Sequence, residues 1–449
     1  MKILICSRLF YPSNAIGAVR PSNFAKYLAK FGHEITVITE DKQNKKGTEF
    51  QGVRIIRISN SKSIQSLINK VQNYYYSAHK ANNHLNILSE PQRTRKIKII
   101  AILHNFMQLY KIVRMRIYDF VLEADWFLSA KKTIKRKYKK DSFDIVISSF
   151  GPIESLLLGY FIKKSKIARH WISDLRDSME NIFNPSWLNL LYKIIKRSMV
   201  QKADAITLVS QGQVSLFCKS LKKITLNKDK IFMIYNGYEN KFKSIQYEKR
   251  DKVLRISYTG AIYENLGDFE LLFKALTDLI EEQLIDLNSV VLCYAGQHSV
   301  NFNKQLFPYD TIKKICHNVG FVDRNSAIDI QNCSDILIVL TWNTITNQGI
   351  LTGKFMEYLQ AFKPIISITK GNLPNGELSQ LVEKLNLGIA CEYITFEKDY
   401  NRLKEYLLTQ YKRVLEGKPL LFEPDIEGIK KFHYEILTKE LDKICLNIK

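Results

Sequence analysis

The chain has 449 residues, 46% of them hydrophobic, which is too long for one ordinary core and suits two domains of ~200 residues each. Its 67 basic residues against 44 acidic give a net charge of +23, so the expected partners are anionic. Seven scattered cysteines with no C-x-x-C pair argue against a zinc site or a disulfide framework, and they read as buried reduced thiols of a cytosolic protein.

In chain order, Met1-Lys2 run straight into an apolar strand, Ile3 to Cys6, with no secretory leader expected ahead of it. A long loop from Arg8 to Val19, with its glycine at Gly17, should lead to a helix starting at Pro21. That helix carries Phe24 and Leu28 on one face and stops at Gly32. Glu34 to Thr39 reads as the next strand and completes a β-loop-α-β unit.

Arg93 to Lys140 holds 14 basic and 3 acidic residues, nearly half of the excess charge. Ile99, Leu103, Phe106, Tyr110, Val113, Ile117 and Phe120 recur at steps of four and three, an apolar helical stripe, and the segment ends in the run Lys131 to Lys140. A basic amphipathic helix with a polybasic end reads as a binder of anionic membrane surface. The competing reading is a packed helix with a solvated basic edge. Nucleic acid is not expected as a partner, because no helix-turn-helix, RNP-like motif or zinc finger accompanies the charge. Phe143 to Ile162 contains Asp144, Gly151, Pro152 and Glu154, and is a strand, turn and helix rather than a membrane span.

Asp174-Leu175-Arg176-Asp177 follows another strand. A carboxylate there could orient or deprotonate a hydroxyl, Asp177 before Asp174 because it lies further beyond the strand end. The alternative is an Asp–Arg structural pair capping the next helix. His170, ahead of the strand, reads as structural.

The polar stretch Lys241 to Lys252 is the expected linker. A second unit then begins: Arg255 to Thr259 leads into Gly260, a helix runs from about Asp268 to Ile280, and Ser289 to Ala295 ends at Gly296. Ser334 to Leu340 reads as a buried strand and Lys363 to Ile368 as the next. Between them Asn347-Gln348-Gly349-Ile350-Leu351-Thr352-Gly353-Lys354 opens a short helix. Its first amides are unpaired and carry the positive end of the dipole, a ready site for phosphate. Lys354 adds a mobile charge, and one turn on Glu357 has two oxygens that could accept both hydroxyls of a ribose. Cradle, lysine and carboxylate together suggest a nucleotide-diphosphate ligand. The plainer alternative is a helix start with a Lys354–Glu357 surface pair. Beyond Pro424 the tail reads as one helix with Ile429, Phe432, Ile436 and Leu441 along one side.

These pieces resemble the glycosyltransferase family 4 enzymes of bacterial surface-polysaccharide assembly, from Met1 to about Ile368. The likeness is carried by "FGHEITVIT", "FDIVISSFGPIESLLLGYFIKK", "HWISDLRDSMEN", "ADAITLVS", "IYNGYENKF", "ISYTGAIYENLGDFELLFKAL" and "VGFVDRNSAIDIQNCSDILIVL" leading into "GKFMEYLQAFKPII". The resemblance implies an α/β chain of GT-B fold, two doubly wound Rossmann-like domains facing across a cleft. Residues 1–245 would form the acceptor-side domain with the basic insertion 93–140. Residues 253–423 would form the nucleotide-sugar domain, and 424–449 a carboxyl-terminal helix able to pack back on the first domain. The implied activity is transfer of a sugar, with retention and without a metal or resident cofactor, from a nucleotide-diphosphate sugar to a lipid-linked glycan for capsule, O-antigen or exopolysaccharide. The enzyme would sit on the inner face of the cell membrane. A nucleotide-sugar epimerase of the same fold and a non-catalytic scaffold subunit are the rivals.

Residue by residue, Glu357 matches the second glutamate of the family's E-x7-E motif, the one placed on the ribose. The first should fall at 349, where this chain has Gly349. Gly349, Ile350, Leu351, Thr352 and Gly353 match the backbone that holds phosphate, with Lys354 beside it. Gly17 and Gly260 are expected near the nucleotide. The loop after Thr259, Gly260-Ala261-Ile262-Tyr263-Glu264-Asn265, lacks the arginine and lysine of many relatives. That leaves Lys354, and Arg20 from the opposite domain, to neutralise the diphosphate.

Overall fold

The computed structural model describes residues 1–13, 15–41, 48–61, 64, 66, 120–151, 153–180, 184, 186–221, 227–239, 251–262, 266–297 and 299–449. The linker Lys241 to Lys252 lies almost wholly outside these residues, as do positions 93–119 of the basic segment with the stripe from Ile99 to Ile117.

The chain divides into two compact units, where the sequence suggested 1–245, 253–423 and 424–449. One is Met1–Asp174 with Lys202–Ala205 and Ile448–Lys449; the other is Leu175–Gln201 with Ile206–Asn447. The first unit holds β1 (Lys2–Cys6), β2 (Glu34–Glu40), β3 (Glu49–Phe50), β4 (Val53–Ile58), β5 (Phe143–Ser149) and β6 (Ala168–Leu175), in the order β3-β4-β2-β1-β5-β6. All these pairs are parallel except β3 with β4. β1 and β5 are apolar and buried almost throughout, as a parallel strand covered on both faces must be. β1 lies between β2 and β5, so the strand order reverses there, and ligands of such sheets gather at the carboxyl ends beside the reversal.

The helix after β1 spans Ile16–Lys30, with Pro21 inside it. It therefore begins five residues earlier than the proline suggested, so Gly17, expected in the loop, is helical and buried, as is Arg20. Proline is tolerated near a helix start, where few amides have an intrahelical acceptor.

In the second unit β7 (Ala205–Leu208), where the division falls, pairs in parallel with β8 (Ile231–Met233). The strands β9 (Leu254–Thr259), β10 (Val290–Ala295), β11 (Cys316–Gly320), β12 (Ile336–Asn343), β13 (Ile365–Gly371) and β14 (Gly388–Glu392) form a parallel sheet of order β11-β10-β9-β12-β13-β14. Alternate residues of β12 feed opposite faces. Ile336, Ile338 and Leu340 join one buried cluster, Leu337 and Val339 another with Phe355, Tyr358 and Leu359. A strand buried on both faces needs helices on both, which is the doubly wound arrangement the sequence suggested. Here the strand order reverses between β9 and β12.

The tail is two helices, Ile426–Lys430 and Tyr434–Ile448, rather than one. The break is held by Tyr238, whose amide donates to the Phe432 carbonyl and whose carbonyl accepts from the Tyr434 amide. A tertiary pairing has overridden the helical periodicity. Among the described residues no helix is long and apolar enough to cross a membrane.

Candidate functional site

The phosphate-type segment stands at the carboxyl ends of β9 and β12, beside the reversal in strand order. The helix Gly353–Ala361 follows β12, with Thr352 as its extended N-cap residue and no side-chain cap. The Thr352 hydroxyl is buried and has no hydrogen-bond partner among the described residues. A buried hydroxyl beside the unpaired first amides of a nine-residue helix is an acceptor and donor in want of a ligand. Ahead of it the Ile350 carbonyl accepts from Thr341 Oγ1 at 2.8 Å, and Leu351 packs against the core cluster.

Lys354 Nζ donates to Glu357 Oε2 at 2.7 Å, and both side chains are partly exposed. The pair expected from the plainer reading of the segment is therefore formed here. It is not isolated, however. Gln331 Nε2 donates to Thr259 Oγ1 at 2.8 Å and lies 3.5 Å from Glu357 Oε2. The Tyr358 hydroxyl lies 3.1 Å from the Thr259 amide and 3.2 Å from its Oγ1. Burial and the neighbouring Glu357 charge raise the Tyr358 pKa against these bonds, keeping the phenol neutral. A Cβ on Gly260 would lie 3.5 Å from Lys354 Cγ, so the end of β9 and the lysine stem are neighbours. Gly260, Lys354 and Glu357 thus come together around Thr259 and Gln331.

Gln331, Thr259 and Tyr358 escaped sequence reading. Gln331 is a buried polar residue near the end of the helix Arg324–Cys333, and nothing in its neighbourhood distinguishes it from a solvated glutamine. Tyr358 adjoins Glu357, and the step of about 100° along the helix turns it inward, where it is buried.

Position 349 has no room for a side chain. Gly349 has φ +66°, in the left-handed region, and a Cβ there would lie 2.3 Å from Ser210 Oγ, 2.8 Å from Gly212 Cα and 2.8 Å from Glu377 Oε2. Ser210 caps the helix Gln211–Ser220 by accepting from the Gln213 amide at 3.2 Å. Glu377 accepts from the Gln211 and Gly212 amides at 2.9 and 2.8 Å, a carboxylate on the positive end of that helix. A carboxylate does stand beside position 349, brought by Glu377 from another element.

Asp174 and Asp177 have opposite surroundings. Asp174 is fully buried in the first unit. It accepts from Arg20 Nε at 3.0 Å, Arg20 Nη2 at 2.8 Å and Ser149 Oγ at 2.9 Å. Arg20 is itself 2% exposed, with its guanidinium 4.5 Å from the Phe24 ring centre. The pairing corrects two expectations: Arg20 is committed to Asp174 rather than presented to a diphosphate, and Asp174 is an internal counter-ion rather than a group on a substrate. An Asp–Arg pair was the structural alternative for this motif; Asp174 takes its arginine from position 20, while Arg176 stands beside Asp177. Asp177 is 70% exposed, 4.0 Å from Arg176 Nε, and lines a cavity of about 560 Å³ with Glu180, Asn189, Lys196 and Gln213.

A third charged cluster lies beyond β1. Arg8 bridges Glu40 at 3.0 Å and Glu154 at 2.9 Å. Burial first, and the Glu123 charge next, push Glu154 up to about 8 against the pull of Arg8. Among the described residues no group of three or more His, Cys, Asp or Glu could hold a metal ion.

No family model matches the sequence, and no curated protein does. Solved structures match over nearly the whole chain. S. aureus TarM in complex with fondaparinux, alpha-GlcNAc-glycerol and UDP is 10% identical, with 99% of each chain covered and a TM-score of 0.56. WaaG, a glycosyltransferase involved in lipopolysaccharide biosynthesis, is 11% identical, covering 98% of this chain and 99% of its own, at 0.52. A UDP-forming alpha,alpha-trehalose-phosphate synthase from Burkholderia xenovorans is 10% identical over 100% and 99%, at 0.58. At such identities the likeness establishes the fold, which is GT-B, the fold implied by the sequence resemblance.

Proposed function

We propose that this chain is a glycosyltransferase that moves a sugar, with retention, from a nucleotide-diphosphate sugar to a lipid-linked glycan. The expected setting is capsule, O-antigen or exopolysaccharide assembly on the inner face of the cell membrane. The observation that carries the reading is the helix start at Thr352, with its unpartnered buried hydroxyl and open amides, set at the β9/β12 reversal one turn from Glu357. The GT-B fold supports it, as does the nature of the similar structures. TarM was solved with UDP, and WaaG is named for lipopolysaccharide biosynthesis.

In the proposed reaction the diphosphate is the leaving group. The amides of Gly353 and Lys354 and the Lys354 ammonium stabilise its growing charge without calling on a metal. Glu357 accepts from the ribose hydroxyls, a role in which it must share Lys354 with the phosphates. Asp177 orients the acceptor hydroxyl and takes its proton. A thermal-shift panel of nucleotides and nucleotide sugars tests the reading first, since a ligand of the folded state must raise its stability.

Replacing Glu357 with Gln should weaken nucleotide-sugar binding by about 1.5–3 kcal/mol, the worth of hydrogen bonds to a charged group. Calorimetry measures this directly, and an unchanged donor affinity removes Glu357 from the ribose. Asp177→Asn should cut transfer about a hundredfold and leave donor affinity near normal. Equal losses of transfer and of donor binding would show that the residue shapes the site and does not act on the acceptor.

The basic segment is proposed to hold the enzyme on anionic lipid. In its described part, residues 120–137 are helical with Trp126, Ala130 and Ile134 buried, while Lys135, Arg136, Lys137, Lys139 and Lys140 are exposed. Changing those five to Gln should release much of the protein from anionic vesicles and leave nucleotide binding intact. Wild-type binding should fall as salt rises. Equal co-sedimentation with neutral and anionic vesicles would return the segment to a packed helix with a solvated edge.

One observation favours a second reading, a non-catalytic scaffold subunit of the same fold: Gly349 stands where the resemblance places the donor-sugar glutamate. Purified protein that binds a nucleotide sugar and neither hydrolyses nor transfers it would establish that reading.

A further inference from the structure

The helix Ser186–Lys202 has two faces of opposite character. Leu188, Lys196, Met199 and Val200 are buried, whereas Trp187, Leu190 and Ile194 are 51%, 61% and 58% exposed. At about 100° per residue these three fall within about 60° of the helix circumference, a continuous apolar stripe over two turns. Lys193 and Arg197 run along one edge of it and are exposed. Large apolar side chains exposed together on successive turns mark a surface that something covers.

The charge of the helix says what covers it. Its 17 residues include Lys193, Lys196, Arg197 and Lys202 and no acidic residue. A second copy of the same face would bring like charges together, whereas an anionic headgroup layer complements them. A tryptophan ahead of leucine and isoleucine, with bases alongside, is the composition of a helix that lies at the headgroup boundary. The inner side of the helix contributes Asn189 and Lys196 to the cavity of about 560 Å³ that also includes Asp177. Lys196 is held there by an ion pair with Glu180 and by Ser220 Oγ at 3.0 Å.

We propose that the outer face of Ser186–Lys202 is a docking surface for an anionic lipid bilayer, separate from the basic segment 93–140. Docking through this face puts the cavity one helix thickness from the headgroups, where the glycan of a lipid-anchored acceptor would be found. That last consequence rests on the glycosyltransferase reading; the docking itself does not.

The test uses the full chain with phosphatidylcholine vesicles, with and without phosphatidylglycerol. Of the four tryptophans, Trp126 and Trp171 are buried and Trp342 is half-buried, so Trp187, the exposed one, is placed to report on lipid. Its emission should shift to the blue with phosphatidylglycerol vesicles, and Trp187→Phe should abolish the shift. Leu190→Gln with Ile194→Gln should weaken vesicle binding about tenfold or more. Lys193→Gln with Arg197→Gln should reduce the preference for the anionic lipid about tenfold. All these side chains are exposed, so folding and nucleotide binding should be unchanged. No response of Trp187 to anionic vesicles would overturn the proposal. So would a shift that follows protein concentration without lipid, since the occupant would then be a second copy. Docking that persists in a chain unable to bind any nucleotide would remove the glycosyltransferase reading and leave this one standing.

Discussion

Asp174→Asn should cost the fold about 3–5 kcal/mol, the penalty for removing one partner of a buried ion pair. The carboxylate is fully buried and accepts from Ser149 Oγ and from both Nε and Nη2 of an arginine that is just as enclosed. An amide of the same size keeps one accepting oxygen and turns the other into a donor, and it leaves the Arg20 charge uncompensated in the interior. Total stabilities of ~5–15 kcal/mol make this loss large enough to show as a shift in the urea midpoint. Arg20→Met combined with Asp174→Asn should recover part of it, because the cost lies in the orphaned charge more than in the lost bonds. A single variant as stable as wild type but inactive would reverse the assignment and make Asp174 a group that meets substrate.

Much of this architecture could be read from the chain, because it follows from short-range pattern. The apolar runs at β1, β9 and β10 sit within a residue of where the sequence places them and β12 within three, and the two fresh starts of a β-loop-α-β unit are there. Elements whose limits depend on distant partners were harder to read. The helix Ile16–Lys30 begins ahead of its proline and carries Arg20, whose partner Asp174 is 154 residues away. The carboxyl-terminal helix breaks because Tyr238, about 190 residues earlier, pairs with Phe432 and Tyr434. Neither partner leaves a local trace.

The same distinction runs through the site. Lys354 and Glu357 are legible since one helical turn is enough to bring them together. Thr259 and Gln331, which share their network, come from other elements 72 residues apart in sequence. Asp174 and Asp177 occupy one four-residue motif, yet one is sealed in an ion pair and the other is open to solvent. Burial is a property of the assembled sheet, and spacing alone could not separate them.

The Gly349 position shows how far a motif can depart from its family when its surroundings change with it, and it yields the second large expectation. Gly349→Glu restores the residue the resemblance calls for, and it should destabilise the protein by about 2–5 kcal/mol without improving turnover. Two costs combine. A side chain at φ +66° carries about 1–2 kcal/mol of left-handed strain, and the Cβ must displace atoms that hold an adjacent helix, an overpacking cost of about 1–3 kcal/mol. Those atoms do not yield easily: Ser210 is the cap of Gln211–Ser220, Gly212 contributes backbone, and Glu377 already accepts two amides. A new carboxylate would also face that of Glu377. Gly349→Ala separates the terms, since it carries the strain and the contact without the charge and should show most of the loss. Thermal unfolding of the two variants beside a transfer assay decides the matter. If Gly349→Glu were as stable as wild type and faster, the loop would have to relax around the new side chain, and the missing glutamate would then be the reason for any low activity.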